Sequence, residues 1–316
     1  MLNYLFYVIL NFVSFLMILL IVLVGVAFLT LLERKILGYV QLRKGPNKVG
    51  FMGILQPFSD AIKLFNKEVF IIYNSSYYLF YICPILLFFF MMCNWLFVPV
   101  ITNMYFMNYS LLIVIIILTM MGYLFMLMGW SSNSTYSMMG AVRALAQTLS
   151  YEVSFILIIL VLMILSETYS IGDFIKWQLW VWYMITLLPL FIVFFISILA
   201  ELNRSPMDFI EGESELVSGF NIEYFSGGFA LIFMAEYGMI IFFSYLLTVM
   251  FMGGQSVTLM YLKLNMVVLL IIFMRGMLPR MRYDELMYLC WKVILPFILS
   301  YGVFILGVKF MYMFMI

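Results

Sequence analysis

Residues 111–121 read Leu-Leu-Ile-Val-Ile-Ile-Ile-Leu-Thr-Met-Met without a charge, and the chain has eight apolar stretches of this character. Their approximate limits are 2–32, 77–101, 109–128, 141–165, 177–199, 227–252, 257–274 and 288–314. A helix needs about 20 residues to cross a bilayer, and all eight reach or approach that length. With 67% hydrophobic residues, 10% charged residues and a mean hydropathy of +1.16, the chain carries more apolar surface than a water-soluble core can hold. Its solvent is therefore lipid. Only helices and closed barrels satisfy the backbone in lipid, and these segments are too continuously apolar for barrel strands. The expectation is an all-α membrane protein of about eight transmembrane helices, organised as one polytopic membrane domain over residues 1–316. The seventh segment is the least regular, because Lys263 and Asn265 interrupt it; a lysine there can snorkel to the interface. Trp177, Trp180 and Trp182 open the fifth segment, as in an interfacial aromatic belt. The first segment is too long for the apolar part of a signal peptide and lacks a basic start, so it reads as a permanent span.

Charge sorts by side. If all eight segments cross, the loops after the first, third, fifth and seventh share a face that carries thirteen of the sixteen basic residues, leaving Lys176, Lys263 and Lys309 opposite. The positive-inside rule makes the basic face the inside and puts both termini outside. Most acids lie on the same inside face, which becomes a mixed-charge surface suited to a soluble partner. Its first loop contains an amphipathic stretch. Pro57 can open a helix, and Phe58, Ala61, Ile62 and Phe65 then share one side, with Asp60, Lys63 and Lys67 away from it. This predicts a helix of about three turns along the membrane surface.

The acids are distributed less evenly. Five of fifteen, Glu201, Asp208, Glu211, Glu213 and Glu215, fall in one short loop, with Glu223 just behind. Like charges this close must be neutralised, protonated or held by cations. One reading is a solvated acidic turn. The other is a cavity lining whose coupled carboxylates load protons as a set; the interleaved Pro206, Met207, Phe209, Ile210 and Leu216 favour it. Glu152 and Glu236 lie inside the fourth and sixth segments, where an acid costs about 2.5–3.5 kcal/mol to insert. Such residues mark ion or proton paths, or else pack as neutral acids against a neighbouring helix. Arg143, about 13 Å along the helix from Glu152, is either the cationic end of such a path or an ordinary inside-face anchor.

Several chemistries are excluded. The chain has no histidine, and Cys83, Cys93 and Cys290 are isolated, so haem, iron–sulfur and zinc ligation are not expected. Gly45 and Gly50 have the spacing of a phosphate-binding loop, but Phe51 and Met52 stand where Lys and Ser or Thr are required. No metal, flavin or nucleotide is expected on this chain. A net charge of +1 gives no bias toward nucleic acid.

Four stretches then resemble a single family. They are LLERKILGYVQLRKGPNKVGFMGILQPFSDAIKLFNKE (31–68), GWSSNSTYSMMGAVRALAQTLSYEV (129–153), the acidic loop through FALIFMAEY (200–237), and RGMLPRMRYDELMYLCWKVILP (275–296). Together they resemble the chain 1 family of NADH–ubiquinone oxidoreductases, the membrane subunits that join the two arms of respiratory complex I. The resemblance implies a core subunit of the mitochondrial inner membrane whose inside face is the matrix side, with both termini toward the intermembrane space. It implies a chamber for ubiquinone, shared with soluble quinone-site subunits, and contact with antiporter-like membrane subunits and membrane lipid. It implies activity only within the assembled NADH:ubiquinone reductase. By the same resemblance, Arg34, Phe58, Asp60 and Lys63 border the chamber entrance, and Arg143 and Arg204 belong to the chamber. Arg204, Asp208 and Glu211, Glu213 and Glu215 lie on the loop facing it. Glu152, Glu201, Glu223 and Glu236 begin an acidic path into the membrane arm. Met207 and Leu202 depart from the residues common in the family at those positions. The alternatives are a membrane-bound hydrogenase anchor of the same superfamily, a stand-alone cation/proton transporter and a structural anchor. A transporter often shows inverted repeats, and none is visible here; an anchor has no need of Glu152 and Glu236.

Overall fold

The computed structural model describes residues 2–70, 72–98, 108–208, 219, 223–254 and 256–315. Among these, every regular element is helical. The α-helices are α1 (Leu2–Val40), α2 (Gln56–Phe65), α3 (Tyr77–Asn94), α4 (Ser110–Ser132), α5 (Thr135–Ser166), α6 (Ile171–Trp177), α7 (Tyr183–Thr186), α8 (Leu188–Glu201), α9 (Ser226–Leu247), α10 (Val257–Met277), α11 (Tyr283–Tyr288) and α12 (Leu295–Met315). Seven segments among the described residues are long and apolar enough to cross a membrane: α1, α3, α4, α5, α9 with its extension, α10, and α11 through α12. The eighth apolar helix is α8, with 14 residues.

The fifth segment differs most from its expected limits of 177–199. It divides into α6, α7 and α8. Pro189 sits in the first turn of α8, where the missing N–H costs nothing, and its ring blocks helical continuation from the preceding residues. The seventh segment, by contrast, runs unbroken as α10 despite Lys263 and Asn265. Lys263 bends to the helix end, donating to the carbonyls of Met252 (2.7 Å) and Gly253 (3.2 Å) and lying 4.0 Å over the Trp182 ring. Two spans contain π-helical turns, Thr248–Met252 after α9 and Leu289–Ile294 before α12. In the first, Gln178 supplies a buried amide that donates to the carbonyls of Val249 and Met250, both at 2.9 Å.

Two helices lie innermost. α9 packs on α1, α2, α3 and α10, while α5 packs on α4, α8 and α12. They are the most buried of the spans, whereas α1, α10 and α12 present most of their surface outward. Glu152 belongs to α5 and Glu236 to α9, so the intramembrane acids sit on the helices farthest from lipid. This is the placement their insertion cost demands. Close approach also depends on small residues: a methyl group at Gly129 of α4 would lie 2.2 Å from the Ala141 methyl of α5.

The amphipathic stretch folds as α2 with Pro57 in its first turn. Ser226 Oγ donates to the carbonyls of Leu64 (3.2 Å) and Lys67 (2.8 Å), tying the end of α2 to the start of α9. Phe58 meets Phe28 of α1 edge-to-face at 6.2 Å, and Phe58, Ile62 and Phe65 remain exposed.

Candidate functional site

The segment between α8 and residue 208 is held by one side chain of α5. Gln147, fully buried, donates its amide to the carbonyls of Ala200 and Met207, each at 2.8 Å. A side chain with two donors can close such a loop, and the low-polarity surroundings make each bond worth more than in water. Met281 N–H adds a bond to the Pro206 carbonyl at 3.0 Å. Arg204 and Asp208 are consequently buried, at 9% and 6% exposure. Arg280, beyond α10, reaches Asp208 at 3.2 Å.

Arg204 is the centre of a buried ionic row. Its guanidinium lies 3.6 Å from Glu33 of α1 and 3.7 Å from Glu236 of α9, over the Tyr237 ring at 4.4 Å. Arg275, at the end of α10, closes directly on the other side of Glu33. Two carboxylates and two guanidiniums therefore alternate as Glu236, Arg204, Glu33, Arg275. Burial opposes the Arg204 charge, but Tyr237, Glu236 and Glu33 beside it hold its pKa above the ordinary arginine value. Charge balance is what permits such a group in a low-dielectric interior.

Glu201 extends this row toward Glu152. One small cavity, of about 30 Å³, is lined by Glu201, Asn203 and Glu236 together with Met121 and Met239. A second, with about 10 Å³, is lined by Glu201 and Glu152 with Thr119 and Tyr123. Each is of the size that admits about one water. Glu201, Gly122 and Thr148 line both, so Glu201 stands between Glu236 and Glu152. One oxygen of Glu152 is buried without a protein hydrogen-bond partner. Such a group is stabilised by protonation or by water.

The remaining expected residues fall into separate places. Arg34 pairs with Asp60 at 2.6 Å, and Gln56 donates to the other Asp60 oxygen at 3.0 Å. These residues join α1 to α2 beside Phe58, while Lys63 is exposed on α2. Arg143 lies 5.9 Å over the Tyr283 ring, toward α11. Nine residues amount to about two and a half helical turns, so Arg143 and Glu152 leave α5 on opposite sides, and the cation that meets Glu236 is Arg204. Glu223 is half-buried ahead of α9. Glu211, Glu213 and Glu215 lie outside the described residues.

Reading the sequence missed Glu33, Arg275 and Tyr237 as members of the site, along with the positioning roles of Gln147 and Arg280. Glu33 was legible as an acid ending a long apolar run, and it is buried at 5% exposure. Its neighbours in sequence, Arg34 and Lys35, made it look like part of an ordinary charged helix end. Arg275 and Gln147 carry no comparable local signal, because their partners are more than fifty residues away.

The sequence matches the NADH dehydrogenase family over residues 13–306. It is 50% identical over 301 residues to NADH-ubiquinone oxidoreductase chain 1 of Aedes aegypti, covering 95% of this chain and 96% of that one. The protein of the same name from Anopheles gambiae is 51% identical over 289 residues (91% and 92%). That of Locusta migratoria is 49% identical over 300 residues (95% and 96%). With matches of this length and identity, the chain, an all-α protein built around apolar spanning helices, belongs to the NADH-ubiquinone oxidoreductase chain 1 family.

Proposed function

We propose that this chain is the core membrane subunit of a proton-translocating NADH:ubiquinone oxidoreductase of the mitochondrial inner membrane. In this reading it crosses the membrane as one polytopic domain with both termini on the intermembrane-space side. It assembles with soluble quinone-site subunits and antiporter-like membrane subunits, and has no activity alone. Ubiquinone is the substrate of the assembled enzyme. The exposed Phe58, Ile62 and Phe65 of α2 offer an apolar face suited to an isoprenoid tail, and the Arg34–Asp60 pair beside them offers polar contacts for a headgroup. Arg143, Lys63 and the acidic loop with Glu211, Glu213 and Glu215 complete the proposed entrance and chamber.

The observation that carries the coupling role is the contiguous row from Arg275 and Glu33 through Arg204, Glu236 and Glu201 to Glu152. Charges about 4 Å apart interact by about 4 kcal/mol at an effective dielectric constant of 20. Changing the charge of Glu236 therefore alters what Arg204 does for Glu33, and the protonation of Glu201 alters that of Glu152. Quinone reduction shifts the charge of the acidic loop, and the shift propagates through Glu223, Glu236 and Glu201 to Glu152 and on to the membrane partners.

The test is Glu152→Gln and Glu201→Gln in the assembled enzyme, with proton pumping, NADH:ubiquinone turnover and assembly measured separately. Both variants should assemble and lose most pumping turnover. Wild-type pumping in either would remove that residue from the path.

A further inference from the structure

On the end of the bundle opposite the Arg204 row, α5 and α12 form a groove. It is open to the outside, has a volume of about 340 Å³ and is lined by Leu160, Met163, Ile164, Glu167, Tyr169 and Lys309. The lining is ordered along the helix axis. Leu160 to Glu167 spans about 10 Å of rise, with the apolar side chains at the membrane-ward end and the charges at the helix terminus. Glu167 is the C-terminal cap of α5, in a left-handed conformation with φ of 53°. Lys309 of α12 pairs with its carboxylate at 2.7 Å and also donates to the Ile164 carbonyl. Tyr169 packs against Tyr109 at 5.8 Å, the kind of aromatic pair found at the membrane–water boundary.

An apolar slot capped by a cation and an anion side by side matches one ligand chemistry. We propose that the groove between α5 and α12 binds a zwitterionic phospholipid with a primary ammonium headgroup, phosphatidylethanolamine. Its phosphate takes a donor of Lys309, which has three and uses two in the contacts above. Its ammonium donates to the Glu167 carboxylate, which is more than half exposed. One acyl chain lies along Leu160, Met163 and Ile164. Charge selects this class. An anionic headgroup would meet the Glu167 carboxylate, and a choline headgroup has no N–H to give it. The site sits apart from the proton row and needs no part of the proposed coupling mechanism.

The experiment uses the assembled membrane complex, purified in mild detergent and exposed to vesicles of phosphatidylethanolamine carrying a diazirine in one acyl chain. After illumination, labelling of the peptide containing Leu160–Ile164 is quantified by mass spectrometry. Labelling should be strong in the wild type and fall several-fold in Lys309→Met and in Leu160→Trp; the latter fills the slot and leaves both charges in place. Glu167→Gln should reduce ethanolamine-lipid labelling and raise labelling by phosphatidylglycerol vesicles carrying the same group. The proposal is overturned if phosphatidylglycerol labels the wild-type peptide as strongly as phosphatidylethanolamine. It is also overturned if no lipid labels the peptide, the result expected if a helix of a partner subunit fills the groove. Leu160→Trp lies at a partly exposed position and keeps the test decisive if Lys309→Met fails to assemble.

Discussion

Replacing Glu33 with Gln tests whether the buried row around Arg204 is held by charge balance. Glu33 is 5% exposed and lies between Arg204 at 3.6 Å and Arg275 in direct contact. Its neutralisation leaves two guanidiniums and one carboxylate, Glu236, which faces Arg204. Stripping one partner from a buried ionic group costs about 3–5 kcal/mol. The lower end, about 3 kcal/mol, applies here, because Arg275 is one-third exposed and regains some hydration. Arg275→Gln alone leaves Glu33 paired with Arg204 and removes a partly screened charge, which is worth about 1 kcal/mol. The double variant Glu33→Gln/Arg275→Gln restores neutrality, since only Arg204 and Glu236 remain charged. It should therefore be milder than Glu33→Gln by about 2 kcal/mol. The assay is the midpoint of heat inactivation of the assembled complex at a fixed scan rate. The expected order of stability is wild type, then Arg275→Gln and the double variant together, then Glu33→Gln. If the double variant were the least stable and the two penalties simply added, the row would be a set of independent contacts, and the electrostatic account of the site would be wrong.

Gln147→Leu keeps the shape of α5 but strands the buried carbonyl of Met207, while that of Ala200 keeps the Asn203 N–H. About 1–3 kcal/mol is lost, and hydrogen exchange should rise selectively over residues 200–208. Gly129→Ala drives a methyl into Ala141 and within 2.9 Å of the Ser137 carbonyl, whereas Gly227→Ala meets nothing within 4 Å. On native gels the first should lower the amount of assembled complex, at about 1–3 kcal/mol of overpacking, and the second should not. At the opposite end, Lys176 and Ser170 hold the Asp173 carboxyl below the usual aspartate range. A depressed folded-state pKa stabilises α6 fully above the unfolded value of about 4 and loses that effect as pH falls through the lower folded value. Hydrogen exchange of Ile171–Trp177 in Asp173→Asn should therefore exceed wild type at neutral pH and converge with it in acid.

How far sequence reading reached is clearest in particular elements. The limits of α4 and α10 lie close to the apolar segments 109–128 and 257–274, and α3 begins where 77–101 does but ends at Asn94, since in lipid the backbone must bond to itself wherever the side chains are apolar. α2 followed from Pro57 and one apolar side. The fifth segment reads as continuous because hydropathy does not register a helix break at Pro189 among leucines. The extension of α1 to Val40 carried Glu33 into the interior, although its charged neighbours argued for a helix end at the surface.

Sequence alone determined that this chain lives in a membrane as a bundle of helices and that its acids are too concentrated to be ornamental. It also carried the family signatures in the polar segments that apolar packing leaves free to specialise. Only the tertiary structure decided which charges meet. Glu33, Arg204, Glu236 and Arg275 come from α1, the segment after α8, α9 and α10, and no periodicity within one segment can report that encounter. The row forms because α9 packs against both α1 and α10 and Gln147 of α5 fixes the intervening loop. In a low-dielectric interior, charges delivered to one place by packing have to balance one another.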